Sequence, residues 1–150
     1  MSVIEMTLHQ GRRTEYDELL ATIKIGDFCE QFPVSTVYWT PEQYLGQWRQ
    51  ALEELAAGSP KGCMIASVED PDVVGSKAFL WIFYRDESDV VFQNMLLFLD
   101  DWRPDLTETA SGLSDWTPPR EVVSEDGQRI SEWRVPFSGL TTTVLLSDLA

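Results

Sequence analysis

Apolar residues near the start of the chain recur at the spacing expected for one face of a helix. Residues 15–25 carry them three to four positions apart, Thr14 precedes them as a candidate N-cap, and Gly26 follows them. This combination predicts a first helix. Residues 3–8 fit either a short strand or an irregular lead-in, and the β-branched and aromatic residues 32–39 predict extended structure. The apolar positions of the predicted helix are Tyr16, Leu19, Leu20 and Ile23.

A second helix has the clearest local signal. Thr40 is followed by Pro41 and then Gln43, the pattern of a capping box with proline in the first turn. Gly58 and Pro60 are suited to ending this helix. Its apolar side chains fall on one stripe, which predicts an amphipathic helix packed on a sheet. The stripe contains Tyr44, Trp48, Ala51 and Leu55.

Strands dominate the prediction for the second half. Residues 63–68 are short and apolar, and residues 78–84 are apolar throughout, as expected of a strand covered on both faces. After a polar turn, residues 90–99 predict another long strand, interrupted by Gln93 and Asn94. These two amides fit satisfied core groups or an exposed strand end better than a binding feature.

A hairpin is predicted for residues 120–135. A two-residue turn would set Glu121 opposite Glu132, and like charges facing each other are destabilising. A three-residue turn with Gly127 in the left-handed conformation instead pairs Arg120 with Glu132. We therefore predict the second register.

The order of these elements predicts the fold class. Helices come first and an antiparallel meander follows, which indicates an α+β fold with N-terminal helices packed on one face of a mainly antiparallel sheet. Residues 138–149 are expected to form a short helix or strand. No internal repeat, low-complexity tract or linker divides the 150 residues, so we expect a single domain spanning residues 1–150.

The chain is strongly acidic. It contains 25 acidic and 11 basic residues, for a net charge of −14. Direct nucleic-acid binding needs a basic surface, so this charge argues against it. It favours a basic partner or simple solubility.

The cysteines and apolar segments indicate the compartment. Cys29 and Cys63 are too far apart for a zinc motif, and we expect two buried free thiols in a reducing cytosol, with a single disulfide as the alternative. The first residues lack the basic and apolar regions of a signal peptide. The longest apolar run, residues 78–84, is too short to span a bilayer. The expectation is a cytoplasmic protein without a membrane segment.

Signatures of catalysis are absent from the sequence. No nucleophile elbow, phosphate-binding loop, dinucleotide fingerprint or zinc-protease motif occurs, and His9 stands alone. The acidic clusters do not match a calcium-binding loop. We therefore predict no catalytic residue, cofactor or metal. A small hydrolase that uses a spatial pair of carboxylates stays open, because such a pairing is not visible in sequence.

Half of the net charge lies in residues 69–108, which contain ten acidic and three basic residues. On the turns and strand ends of a meander, these acids are candidates for a rim that attracts a basic protein. Trp102 and Trp116, in a predicted loop of residues 100–119, are candidate anchors or, equally, covers for the sheet edge. The candidate binding residues are Asp86, Glu87, Asp89, Asp100, Asp101, Trp102, Asp105 and Trp116.

Three stretches within residues 36–136 carry a family resemblance through their order and spacing. The first is Tyr38-Trp39-Thr40-Pro41-Glu42-Gln43-Tyr44 leading to Gln47-Trp48-Arg49. The second is Phe83-Tyr84-Arg85 with Val91-Phe92-Gln93-Asn94-Met95-Leu96-Leu97-Phe98. The third is Pro118-Pro119-Arg120-Glu121 continuing through Glu125-Asp126-Gly127-Gln128-Arg129-Ile130-Ser131-Glu132-Trp133. Together they resemble a family of small bacterial immunity proteins from contact-dependent growth inhibition (CDI) systems.

The resemblance implies a function. Members of this family neutralise the toxic C-terminal domain of a large surface-displayed effector delivered by neighbouring cells. It implies a cytosolic protein that binds its cognate toxin domain, needs no catalytic residues and is often acidic where the toxin is a basic nuclease. Our hypothesis is such an immunity protein. The alternatives are a carboxylate-based hydrolase and an acidic chaperone or adaptor.

Overall fold

The computed structural model describes residues 2–101 and 113–148. Within this part the chain forms eight strands, one long helix and one short helix. In chain order the elements are β1 (Val3–Arg13), β2 (Leu19–Ile25), β3 (Phe28–Val34), α1 (Pro41–Ala56), β4 (Lys61–Val68), β5 (Lys77–Asp86), β6 (Asp89–Phe98), α2 (Leu113–Trp116), β7 (Trp133–Pro136) and β8 (Thr141–Ser147).

The strands form two four-stranded sheets. One has the order β3-β2-β1-β8, and the other has the order β4-β5-β6-β7. All neighbouring strands are antiparallel except β1 and β8, which run parallel from Val3 opposite Thr141 to His9 opposite Ser147. The fold is thus mainly β with one long helix, and the predicted antiparallel meander is the second sheet.

The prediction of a helix over residues 15–25 is wrong. Residues 14–18 form a turn in which Thr14 Oγ1 accepts hydrogen bonds from the backbone N–H of Tyr16 and Glu18. The chain then enters β2, whose buried positions alternate from Leu19 to Ile25. A threonine hydroxyl accepts backbone N–H groups in a turn as well as at a helix N-cap, so Thr14 is compatible with either structure and here forms the turn. The predicted packing of several N-terminal helices on the sheet is therefore also wrong.

Helix α1 confirms the prediction made from its capping sequence. Thr40 Oγ1 accepts from Gln43 N at 3.3 Å, and Gln43 Oε1 accepts from Thr40 N at 2.9 Å. Pro41 is its first residue, and its apolar stripe is buried against β4 and β8. Tyr44 and Trp48 lie in the core. Burial raises the pKa of the Tyr44 hydroxyl to about 12.

The hairpin region adopts the predicted register. Gly127 has a φ of +82° at the tip. Ile130 N donates to Val122 O at 2.9 Å, and Arg120 forms an ion pair with Glu132. The pairing follows the three-residue turn, although regular strand structure begins only at β7.

The core lies between the two sheets and beneath α1. It includes Ile4, Met6 and Leu8 of β1, together with most of β4 and most of β5. Cys63 is buried there as predicted, and burial raises the pKa of its thiol to about 12. Cys29 corrects the expectation of two buried thiols, because it is exposed on β3. Both cysteines are free.

Candidate functional site

The predicted acidic residues fall into two groups at opposite ends of β6. Asp86, Glu87 and Asp89 lie at the β5–β6 turn, whereas Asp100 and Asp101 follow the other end of the strand. Strand β6 has ten residues. At roughly 3.3 Å per residue, it separates the two groups by about 30 Å. The acids lie at turns and strand ends as expected, but they do not form one local cluster.

Two arginines neutralise much of the first group. Asp86 Oδ2 lies 3.2 Å from Arg120 Nη1 and 2.7 Å from Arg134 Nη2, and Asp89 Oδ2 lies 3.1 Å from Arg134 Nη1. Arg120 also contacts Glu132, at 2.7 Å. The hydrogen bond from Arg134 is the main cause that lowers the pKa of Asp86. This turn is therefore an ion network of mixed sign, with Glu87 exposed at its tip.

The second group is strongly negative. Residues 69–77 and 98–101 lie at one end of the second sheet and contain five acids and one lysine. Asp100 Oδ2 accepts from Gly75 N at 3.0 Å, which joins the two segments, and Glu69 Oε1 accepts from Lys77 N at 2.7 Å. We call this surface the acidic end. It comprises Glu69, Asp70, Asp72, Asp100 and Asp101.

The predicted aromatic anchors have different outcomes. Trp102 and Asp105 lie outside the described residues. Trp116 belongs to α2, where it is half-buried and packs against the core. Next to it, Thr117 O accepts a hydrogen bond from Lys61 Nζ, which holds this segment against β4. This placement of Trp116 favours the alternative in which it covers the sheet.

Gln93 and Asn94 have separate roles. Gln93 is buried, and its Nε2 donates to Glu121 O and to Glu132 Oε2, each at 2.8 Å. Gln93 is therefore a buried amide with hydrogen-bond partners, as in the first of the two structural interpretations of the sequence. Asn94 is exposed and lines a groove that sequence reasoning missed.

This groove runs between β3 and the outer parts of β5 and β6. It has a volume of about 340 Å³. The prediction that residues 78–84 are covered on both faces fails at its first part, since Phe79 is 49% exposed. Leu96, directly opposite Phe79, is 43% exposed, and Phe98 is 49% exposed. We call this cavity between β3 and β5 the β3–β5 groove. Its lining includes Gln31, Phe32, Phe79, Trp81, Asn94 and Leu96.

An aromatic cluster explains where the groove begins. The rings of Phe28 and Phe32 each lie 6.5 Å from that of Trp81, and Phe28 stacks on Trp133 at 4.5 Å. These contacts attach β3 to the second sheet as far as Trp81, and Phe79 lies beyond them. The alternation of two along β5 places Phe79 and Trp81 on one face, so only the position of β3 decides which of them is covered.

The described residues contain little that suggests catalysis. His9 Nε2 lies 2.8 Å from Thr22 Oγ1, and no group of three His, Cys, Asp or Glu residues in this part could hold a metal ion. A hydrogen bond from Arg120 is the main cause that lowers the pKa of Glu132. A hydrogen bond from Ser124 is the main cause that lowers the pKa of Asp126. A general acid requires the opposite shift, so these carboxyl groups do not support the hydrolase alternative. No helix in the described ranges is long and apolar enough to cross a membrane.

Comparison with known proteins identifies the family. The chain belongs to the family described as the CdiI N-terminal domain, whose model matches residues 34–143. It is 23% identical over 120 residues to the immunity protein CdiI of Enterobacter cloacae subsp. cloacae, and the alignment covers 80% of each protein. The resemblance to CDI immunity proteins is thereby confirmed.

The fold agrees with this assignment. A chain in the solved CdiA-CT/CdiI toxin and immunity complex from Enterobacter cloacae superimposes with a TM-score of 0.70. The match covers 89% of this chain and 90% of that one, at 21% sequence identity.

Proposed function

We propose that this chain is a cytoplasmic immunity protein that binds and neutralises the toxic C-terminal domain of its cognate CDI effector. The observation that carries the proposal is the family match over residues 34–143, which includes α1 and all four strands of the second sheet. The related protein from Enterobacter cloacae is named as an immunity protein, and the solved neighbour is part of a toxin and immunity complex. Neutralisation then needs tight binding and no catalysis by this chain.

We further propose that the toxin domain is a basic nuclease. The net charge of −14 and the five carboxylates of the acidic end support this proposal. A surface of one sign accelerates encounter with a partner of the opposite sign, and nucleases carry basic surfaces that hold phosphates. Of the candidate binding residues, Asp100 and Asp101 therefore contribute most to attraction. Asp86 and Asp89 contribute less, because arginines already compensate them.

Co-expression tests the immunity role. The toxic C-terminal domain of the cognate CDI effector should kill cells when produced alone and should be harmless when this chain is co-expressed. The purified pair should associate in a 1:1 ratio, and non-cognate toxin domains should not bind, because specific partners are discriminated by mismatched contacts. Equal binding to many basic proteins would instead favour the chaperone alternative. Failure to protect would refute the proposal.

Three single charge reversals test the acidic end. Asp101→Lys, Glu87→Lys and Glu53→Lys each change an exposed carboxylate, at the acidic end, at the β5–β6 turn and on α1 respectively. All three change the net charge equally. We expect Asp101→Lys to slow toxin association about 2- to 10-fold at low salt and to flatten its salt dependence, with smaller effects from the other two. Identical association rates for all three variants would refute the role of the acidic end but not the immunity function.

Nuclease activity is tested separately. The isolated toxin domain should degrade DNA or RNA, and one equivalent of this chain should stop the degradation. A toxin domain that kills without cleaving either nucleic acid would refute this part of the proposal.

A further inference from the structure

The β3–β5 groove combines an apolar surface with an open sheet edge. Phe79, Leu96 and Phe98 lie side by side on β5 and β6 and are each more than two-fifths exposed. Solvent-exposed apolar side chains that are contiguous and rimmed by polar groups are typical of protein-binding surfaces. The opposite wall of the groove is β3, which within the described part of the chain has a sheet neighbour on one side only.

The register of β3 shows which of its backbone groups face outward. A two-residue turn joins β2 to β3, so Ile25 and Phe28 form the first hydrogen-bonded pair and every second residue of β3 bonds to β2. The intervening residues, Cys29 and Gln31, direct their N–H and C=O groups away from the sheet. Pro33 follows in the same series, and an edge strand tolerates proline where its missing N–H would face outward.

Charge indicates what kind of molecule fits this surface. Glu30 is the charged residue among the described lining of the groove, and the acidic end lies just beyond Phe79 and Phe98 on the same sheet. A second copy of the chain would bring two molecules of net charge −14 together and set like charges against each other. A basic partner meets complementary charge on both sides of the groove.

We propose that an extended segment of the basic cognate toxin domain docks in the β3–β5 groove. The segment pairs with the outward N–H and C=O groups of Cys29 and Gln31 and inserts an apolar side chain against Phe79 and Leu96. This mode of recognition adds a strand to an exposed sheet edge, so that the backbone gives affinity and the pocket gives specificity. The inference rests on the proposed function, since it assigns a surface to the same toxin.

A matched pair of variants tests the apolar wall. Leu96→Ser changes a leucine that is 43% exposed in the groove, and Leu145→Ser changes one that is 44% exposed on β8, at the opposite edge of the other sheet. We expect Leu96→Ser to raise the dissociation constant for the toxin domain at least 10-fold and Leu145→Ser to change it less than 2-fold. Equal effects, or a larger effect of Leu145→Ser, would overturn the proposal. Circular dichroism and thermal melts on both variants check that each remains folded.

A second pair tests the strand pairing. Gln31→Ala keeps the outward N–H, whereas Gln31→Pro removes it without removing a hydrogen bond to β2. We expect Gln31→Pro to weaken toxin binding at least 5-fold more than Gln31→Ala, with unchanged secondary structure in both. Equal affinities of these two variants would overturn the pairing.

The remaining outcomes separate this inference from the proposed function. If the unmodified chain does not bind the toxin domain, the proposed function fails. If it binds and protects while Leu96→Ser and Gln31→Pro also bind normally, the docking surface is wrong and the immunity role stands. A dimer of the free chain that Leu96→Ser abolishes, found by analytical ultracentrifugation, would assign the groove to a second copy and overturn the proposal.

Discussion

Side chains of α1, rather than another strand, satisfy the outer edge of β4. Gln47 Nε2 donates to Cys63 O at 2.9 Å, and Gln47 Oε1 accepts from Ile65 N at 2.7 Å. Trp48 Nε1 donates to Ile65 O at 2.7 Å. These backbone groups lie on the outer edge of the sheet and are buried, and a buried donor or acceptor without a partner is costly. The helix therefore closes the sheet through specific hydrogen bonds as well as through apolar packing.

Replacing Gln47 by leucine removes two of these bonds while preserving an apolar stem of similar size. Gln47 is only 2% exposed, so water cannot readily replace the lost amide. Leaving Cys63 O and Ile65 N unpaired costs about 1–3 kcal/mol for each group. We expect Gln47→Leu to lower the free energy of unfolding by roughly 2–6 kcal/mol, a large share of the ~5–15 kcal/mol typical of a domain.

Urea denaturation followed by tryptophan fluorescence measures this loss. The midpoint should fall while the dependence on urea concentration stays the same, because the surface exposed on unfolding is nearly unchanged. Gln50→Leu is the control, since Gln50 is half-buried on the same helix, and we expect it to change stability by less than about 0.5 kcal/mol. A loss below about 0.5 kcal/mol for Gln47→Leu as well would refute the role assigned to these two bonds.

Three further predictions follow from the local geometry. The pKa of Glu132 is lowered by its bonds to Arg120, so Glu132→Gln should cost roughly 1–3 kcal/mol at pH 7 in chemical denaturation. A lowered carboxyl pKa stabilises the folded state at pH values above the unfolded pKa of 4.5. This contribution is lost as the pH falls towards the folded pKa, so the stability difference between the unmodified chain and Glu132→Gln should shrink below pH 4.5. Ellman's reagent should modify Cys29 in the native protein and Cys63 only after denaturation, and two reactive thiols before denaturation would contradict the burial of Cys63. Thr40→Ala should reduce thermal stability by about 1 kcal/mol, and an unchanged melting temperature would show that the N-cap of α1 contributes nothing.

Features set by neighbouring residues could be predicted from the sequence. The N-terminus of α1 depends on bonds between residues three apart, so Thr40 and Gln43 specify it by themselves. The hairpin register depends on a turn with Gly127 at the left-handed position and on one charge pairing, Arg120 with Glu132. In each case the deciding groups lie within about a dozen residues, where few alternative arrangements compete.

Features set by residues far apart in the chain could not be predicted from the sequence. Residues 15–25 have helical spacing, yet residues 15–18 belong to a turn and residues 19–25 form β2, because β1 and β3 on either side supply a ladder of backbone bonds. The pairing of β1 with β8 joins the two ends of the described chain in parallel, and neither segment indicates its partner. Long-range pairing of this kind overrides a local preference of a few tenths of a kcal/mol per residue.

The candidate site shows the same division. The sequence by itself determined the acidity of residues 69–108, the absence of catalytic motifs and the family resemblance. Only the tertiary structure decided that arginines neutralise Asp86 and Asp89, that the acidic end lies about 30 Å away along β6, and that β3 stops short of Phe79. The physical reason is that charge and pattern are properties of the residues themselves, whereas compensation and exposure depend on which distant elements pack beside them.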